Sequence, residues 1–296
     1  MMEEKIQFER ALLALSEIYI SIYEFDLCNN QLQPIKSNKF IDALADLCEG
    51  AQEKLNNVMK NITVADHVDM MMEFSDLSTL SERLKDKKDI SVVFMGKVNG
   101  WCRARFVVLD YDAAGALSHV LYTVECINEE KIRENHLLYL AQTDLLTGIY
   151  NRGHGENRIT ELINQKKYGM FIILDVDKFK GVNDKYGHQV GDQVLIEVAA
   201  AMARVAGEKD IVMRLGGDEF AGYFPGVTEE KDGEKIIMKL FEEFDSIKVE
   251  PMTETVAVSL GARFVVEGED FDTVYKQADK GVYVSKNSKG SSYDVE

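Results

Sequence analysis

Hydrophobic and polar positions alternate early in the chain. Over residues 16–27, Ile18, Ile20 and Ile22 interleave with Tyr19, Tyr23 and Phe25 before Asn29-Asn30, which predicts a first strand and a hairpin turn. Over residues 37–87 the spacing lengthens. Leu44, Leu47, Leu55, Val58 and Met59 recur near every third or fourth position in a polar background, as short helices require. Three strand-like runs follow at 90–95, 101–109 and 120–127, separated by Lys97-Val98-Asn99-Gly100 and a turn over 110–118. Residues 129–142 hold no glycine or proline and place Ile132, Leu138 and Tyr139 at roughly heptad spacing, continued by Leu145. This segment reads as a connecting helix, either packed by an amphipathic face on its own domain or forming one side of a coiled-coil dimer seam.

From Asp144 onward strand patterns alternate with longer helical ones, which predicts a mixed α/β domain. Residues 168–175 form an apolar strand ending in an acid. The stretch 192–206 is helical, with Val194, Leu195, Val198, Ala199 and Met202 on one face. Strand-like runs at 210–215 and 220–224 flank Gly216-Gly217-Asp218-Glu219, an expected hairpin. A helix with Ile236, Ile237, Leu240, Phe241 and Phe244 as its stripe, a strand over 255–260, and a last helix marked by Phe271, Val274, Tyr275 and Ala278 complete the pattern. The expected layout is a first domain over 1–128, a connecting helix over 129–143 and a second domain over 144–296.

Composition adds limits. The 296 residues suit two folded domains, and only three prolines argue against a long disordered linker. A formal charge of −17 disfavours sequence-independent nucleic-acid binding and means that an anionic substrate needs a cation or local basic groups to approach. The apolar runs at 170–174 and 198–202 fall far short of the roughly 20 residues that span a bilayer. The acidic start, Met1-Met2-Glu3-Glu4-Lys5, leads into an amphipathic segment, unlike a signal peptide, so no membrane association and a cytoplasmic location are expected. Four cysteines, Cys28, Cys48, Cys102 and Cys126, lack zinc-like spacing and are expected to be buried free thiols.

Chemistry concentrates in the second half. Asp175-Val176-Asp177 ends the apolar strand, and period-two geometry puts the two carboxylates on one face with Val176 opposite. Such an end is either a metal-binding position or a strand emerging into solvent. Residues 179–192 crowd glycines, amides, acids and lysines into what reads as a loop before a helix, suited to a polar ligand. The Gly-Gly-Asp-Glu turn alone is ordinary turn chemistry.

Taken together, this loop, the Gly216-Gly217-Asp218-Glu219-Phe220 hairpin and Asp144-Leu145-Leu146-Thr147-Gly148-Ile149-Tyr150-Asn151-Arg152 resemble the GGDEF family of diguanylate cyclases, over about residues 144–289. The resemblance implies an α+β domain with a central antiparallel sheet, like the palm of polymerases and nucleotidyl cyclases. It further implies condensation of two GTP into cyclic di-GMP and two pyrophosphates, with Mg²⁺ or Mn²⁺, in a homodimer whose halves each hold one GTP. By the same resemblance Asp175, Asp218 and Glu219 are catalytic, and Asp175, the Val176 carbonyl, Asp218 and Glu219 are metal ligands. Lys178, Phe179, Lys180 and Lys286 are expected at the phosphates, and Asn183 and Asp192 at the guanine edge. Asp192 accepting from guanine disfavours an ATP-using cyclase. His188 is read as structural, and Arg214, Arg152 and Asp144 as architecture.

Two departures from the family matter. Its Arg-x-x-Asp product-inhibition motif is replaced by Gly207-Glu208-Lys209-Asp210, which lacks the arginine fork. The usual basic residue four positions after Lys286 is Gly290, with Lys289 one place early. These departures keep a second reading open, a catalytically degenerate domain that binds GTP or cyclic di-GMP as a signalling module. The order strand-strand-helices-strand-strand-strand of the first half resembles a PAS sensor domain. Its His67 and His119 are single histidines and no flavin-attachment motif is present, so its ligand is unknown.

Overall fold

The computed structural model describes residues 18–286 and 292–295, which fall into two compact units that part after Asn135. The amphipathic segment at the amino end and Lys289 lie outside the described residues.

In the first unit, β1 (Tyr19–Asp26), β2 (Gln31–Lys36), β3 (Asp89–Gly96), β4 (Gly100–Tyr111) and β5 (Leu117–Cys126) form an antiparallel sheet in the order β2-β1-β5-β4-β3. Four short helices fill the segment between β2 and β3: α1 (Lys39–Ala45), α2 (Ala51–Ile62), α3 (Val68–Phe74) and α4 (Leu80–Arg83). Alternation along the strands sends Phe25, Phe94, Ala104, Phe106 and Tyr122 to one face, where Leu55, Met59, Met71, Phe74 and Leu80 cover them. The Phe106 ring lies 4.7 Å from Tyr122 and 5.4 Å from Phe74, and burying each such side chain contributes about 1.5–3 kcal/mol.

Two expectations fail here. Leu47, read as part of a helical stripe, lies in the turn after α1 and is exposed. Of the four cysteines only Cys102 is buried; Cys28 and Cys126 are exposed and Cys48 is half-buried. Cys28 follows the end of β1, Cys48 lies between α1 and α2, and Cys126 is the last residue of β5, all places where the backbone leaves the core. The helix α5 (Asn128–Gln142) has no buried residue; Ile132, Leu138, Tyr139 and, beyond its end, Leu145 are exposed.

The second unit is built on a sheet ordered β11-β10-β7-β9-β8-β6, from β6 (Tyr150–Asn151), β7 (Gly169–Val176), β8 (Ile211–Gly216), β9 (Glu219–Pro225), β10 (Val258–Phe264) and β11 (Ser292–Val295). Its centre, β10-β7-β9-β8, is antiparallel, and its edge pairs β6–β8 and β10–β11 are parallel. The helices are α6 (Arg152–Asn164), α7 (Phe179–Tyr186), α8 (His188–Val205), α9 (Glu230–Asp245) and α10 (Phe271–Ser285). β7 is covered on both faces: Met170, Ile172, Leu174 and Val176 meet α8 and α9, while Phe171 and Ile173 meet Ile159 of α6 and Val274 and Ala278 of α10. A strand buried on both sides needs an unbroken apolar run, which explains the sequence over 170–174. The strand expected over 255–260 instead begins at Val258.

Candidate active site

The segment read as a loop over 179–192 is α7, a break at Gly187, and the first turn of α8. Phe179, Val182 and Tyr186 stand at helical spacing, and the first two pack against the core. Lys178 adopts a left-handed conformation (φ 54°) just before α7, and no side chain caps that helix. The Gly181 amide donates to the Lys178 carbonyl at 2.8 Å, which leaves the Phe179 and Lys180 amides of the first turn to face an anion. Gly187, at φ 89°, ends α7 and starts α8.

β7 delivers Asp175 to its carboxyl end, directly opposite Glu219 on β9 and Ser259 on β10. The two-residue turn of the β8–β9 hairpin brings Asp218 beside them. Gly217 at that turn holds φ 56°, a conformation that costs glycine little. The Val176 amide donates to the Asp218 carbonyl at 3.1 Å, joining the end of β7 to the turn. Arg214 donates two bonds to the Gly217 carbonyl, at 3.0 and 2.7 Å, and pairs with Asp144 at 3.0 Å. Asp144 also accepts from the Thr147 amide and hydroxyl, at 3.0 and 2.7 Å. The architectural roles expected for Arg214 and Asp144 match this geometry. Arg152 pairs with Glu156 at 2.7 Å and lies over the Tyr275 ring.

The two acids of the Asp175-Val176-Asp177 run part company. Asp177 accepts from the buried Ser259 hydroxyl at 2.8 Å, and its amide donates to the Ala257 carbonyl. Asp175 is paired with Lys286, one residue beyond α10, at 2.9 Å. Partial burial and the charges of Asp175, Asp218 and Asp279 push the Glu219 carboxyl above its ordinary pKa, opposed by Lys286. Burial works to lower the Lys286 pKa, but the hydrogen bond to Asp175 and the charges of Asp175, Asp218 and Glu219 outweigh it and raise the value.

A cleft of about 1030 Å³ opens beside these groups, lined by Asp175, Val176, Asp177, Asp218, Lys286, the first turns of α7 and residues 254–257. Lys178, Phe179 and Lys180 line it, as does Lys185. Glu254 closes its far wall by binding Lys185 and the Tyr186 hydroxyl, the latter at 2.5 Å. The hydrogen bonds from Lys185 and Tyr186 hold the Glu254 carboxyl down at about 2. The short hydrophilic run carrying Glu254 offered no signal for this wall. Asn183 and Asp192 are not among the lining residues. Asn183 lies on α7 and Asp192 in the first turns of α8, and at their junction the Asn183 side chain fills the space over Gly191: a β-carbon there would lie 2.0 Å from Asn183 Oδ1. His188, at the first position of α8, is exposed.

The donors converging on this corner are hard carboxylate oxygens carrying excess negative charge, a set that suits a divalent cation such as Mg²⁺. Lys286 supplies part of the neutralisation. Among the described residues no group of three acidic, histidine or cysteine side chains is drawn close enough to hold an ion by itself.

The profile of the family described as "Diguanylate cyclase, GGDEF domain" matches residues 141–292, just over half of the chain. Over 159 residues the chain is 33% identical to diguanylate cyclase DgcN of Escherichia coli (strain K12), covering 52% of this chain and 39% of that protein. Over 162 residues it is 32% identical to the response regulator PleD of Caulobacter vibrioides, covering 52% of this chain and 36% of that protein. The chain thus spans less than half the length of either relative. Among solved structures, the coiled coil and GGDEF domain of DgcB from Caulobacter crescentus in complex with c-di-GMP aligns with a TM-score of 0.51 at 28% identity, covering 57% of this chain and 93% of that one.

Proposed function

The chain belongs to the GGDEF-domain family of diguanylate cyclases, and from that membership we infer that it condenses two GTP molecules into cyclic di-GMP and two pyrophosphates. The observation that carries the reading is the meeting of Asp175 and Asp218 at one corner of the cleft, with Glu219 opposite Asp175 on the neighbouring strand and the uncapped start of α7 and Lys286 beside them. Negative charge in both the binding and the reacting groups has to be matched at one place, and this corner holds the cations and amides to do so.

In this reading Asp175, Asp218, Glu219 and the Val176 carbonyl hold Mg²⁺ or Mn²⁺. The ion, when bound, neutralises charge that develops on the α-phosphate as a ribose 3′-hydroxyl attacks it. The first-turn amides of α7 around Lys178 and Phe179, with Lys180, orient the triphosphate. Lys286 exchanges Asp175 for a phosphate oxygen as substrate enters. Glu219, whose raised pKa favours proton uptake, is suited to accept the 3′-hydroxyl proton. Asn183 and Asp192 select guanine from the α7–α8 junction. Each protomer of a homodimer holds one GTP, and the first unit is a PAS-like domain that controls the rate; its antiparallel sheet with helices inserted between β2 and β3 supports that assignment. Product feedback through Asp210 is not expected, since its carboxylate accepts from the Gly207 amide at 2.8 Å and no arginine stands beside it in the sequence. Among the described residues no helix is long and apolar enough to cross a membrane.

The test is incubation of the purified chain with GTP and Mg²⁺, with chromatographic separation of products, alongside Asp218→Ala and Glu219→Ala. Cyclic di-GMP from the parent and none from the variants is the expected result. GTP binding without any product would instead favour the signalling-module reading.

A further inference from the structure

Cys102 on β4 and Cys126 at the end of β5 stand directly opposite each other in the antiparallel ladder. The Ile127 amide donates to the Trp101 carbonyl at 2.9 Å, so the ladder bond belongs to the flanking pair and Cys102–Cys126 is a pair without its own bonds. Such pairs are the close ones, with α-carbons about 4.5 Å apart, inside the roughly 4.4–6.8 Å that a disulfide spans. Opposite residues present their side chains to the same face of a sheet. Both thiols are free.

The two sulfurs differ in access. Cys102 is 2% exposed, whereas Cys126 is open to solvent. Burial, with Cys126 nearby, pushes the Cys102 thiol up to about 11, so it does not compete as the first nucleophile. Cys126 is held in place: the Asn128 Nδ2 donates to its Sγ at 3.2 Å and to the Asn99 carbonyl at 2.8 Å, the Cys126 thiol donates to the same carbonyl at 3.6 Å, and Asn128 Oδ1 accepts from the Trp101 amide at 2.7 Å.

We propose that Cys102 and Cys126 form a modification site, a cross-strand dithiol that a peroxide converts to a disulfide. The Cys126 thiolate attacks one peroxide oxygen, giving a sulfenic acid, and the other oxygen leaves as water after taking up a proton. Cys102 sulfur then attacks Cys126 sulfur, its proton leaving with the hydroxyl as a second water. Two thiols and one hydrogen peroxide thus become one disulfide and two waters, with one electron lost from each sulfur. A disulfide with an exposed sulfur at a sheet end is open to thiols and is therefore reversible. It ties β4 to the residue two places before α5 begins.

The experiment treats the full chain with hydrogen peroxide, blocks remaining thiols and digests with trypsin without reduction. Mass spectrometry is expected to find peptides 98–103 and 106–131 joined, two hydrogens lighter than their sum, and separated by dithiothreitol. Cys28→Ser should leave the cross-link intact. Cys126→Ser, at an exposed position that does not threaten folding, should abolish it and leave Cys102 unmodified. In Cys102→Ser a cyclic-dione probe should trap sulfenic acid on Cys126. Oxidation of Cys126 to sulfinic or sulfonic acid in the folded parent without a cross-link, or a disulfide joining two chains through Cys126, would overturn the proposal.

Discussion

Glu219 carries the electrostatic cost of the site. Its carboxylate faces Asp175 across the β7–β9 ladder and is raised above the ordinary glutamate value of 4.5. The folded chain therefore holds this proton more tightly than the unfolded chain does. Ionised Glu219 costs stability above that value, the cost grows as pH rises through the folded pKa, and at low pH it disappears because both states are protonated. Glu219→Gln should raise the melting temperature near pH 7, in line with the roughly 0.2–1 kcal/mol that like charges directly opposite cost, and should abolish product formation. Near pH 4 the two melting curves should coincide; a gain that persists there would assign the effect to something other than this charge. Asn183 gives a second residue-scale expectation. Gly191→Ala puts a methyl group where Asn183 Oδ1 now sits, and a side-chain end moves more readily than backbone. The outcome should be about a tenfold weaker GTP affinity, the equivalent of ~1.4 kcal/mol, with little change in melting temperature. At this scale the acids were legible because carboxylates at a strand end and a glycine turn follow from period and turn chemistry. The Lys286–Asp175 pair was not, because it joins residues more than 100 positions apart, and no local pattern encodes such a meeting.

Elements were legible where one period dominated. β7 reads from its apolar run, and α8, α9 and α10 read from stripes that the core then uses. The α7 segment misled because Gly181 and its many charges lower helix propensity, whereas Phe179 and Val182 gain their helical conformation from packing on the core. The exposed thiols misled for a related reason: cysteine usually packs as a small hydrophobe, but burial depends on where a strand ends. One element-level contact was hidden in plain glycines. Gly261 on β10 and Gly281 on α10 meet backbone to backbone, and a β-carbon on Gly261 would lie 2.0 Å from the Ala278 carbonyl oxygen and 2.6 Å from the Val282 nitrogen. Neither atom is the end of a flexible side chain, so Gly261→Ala must push α10 off the sheet. It should cost about 1–3 kcal/mol or more, measured as a lower urea midpoint. Because α10 leads directly to Lys286, turnover should fall further than stability alone explains; an unchanged midpoint would show that the helix shifts freely.

The whole molecule carries a net charge of −17, and two such chains repel at long range. The proposed reaction nevertheless needs two GTP-bearing halves face to face, so association has to come from apolar contact. The exposed Ile132, Leu137, Leu138 and Leu140 of α5 supply the largest unpacked apolar run on a described helix that no core claims. Turnover per chain should therefore rise with protein concentration and level off, following the dimer fraction measured by sedimentation. Screening shortens the reach of the repulsion to about 10 Å at 0.1 M salt. At a fixed concentration below the plateau, moderate salt should accordingly raise the rate, whereas a weakened substrate interaction alone would lower it. Leu138→Glu adds charge to the apolar run and should move the concentration curve to higher values without changing its plateau by much. A rate per chain that stays constant on dilution into the monomer range would mean that one chain completes the reaction alone, and the homodimer would have to be abandoned.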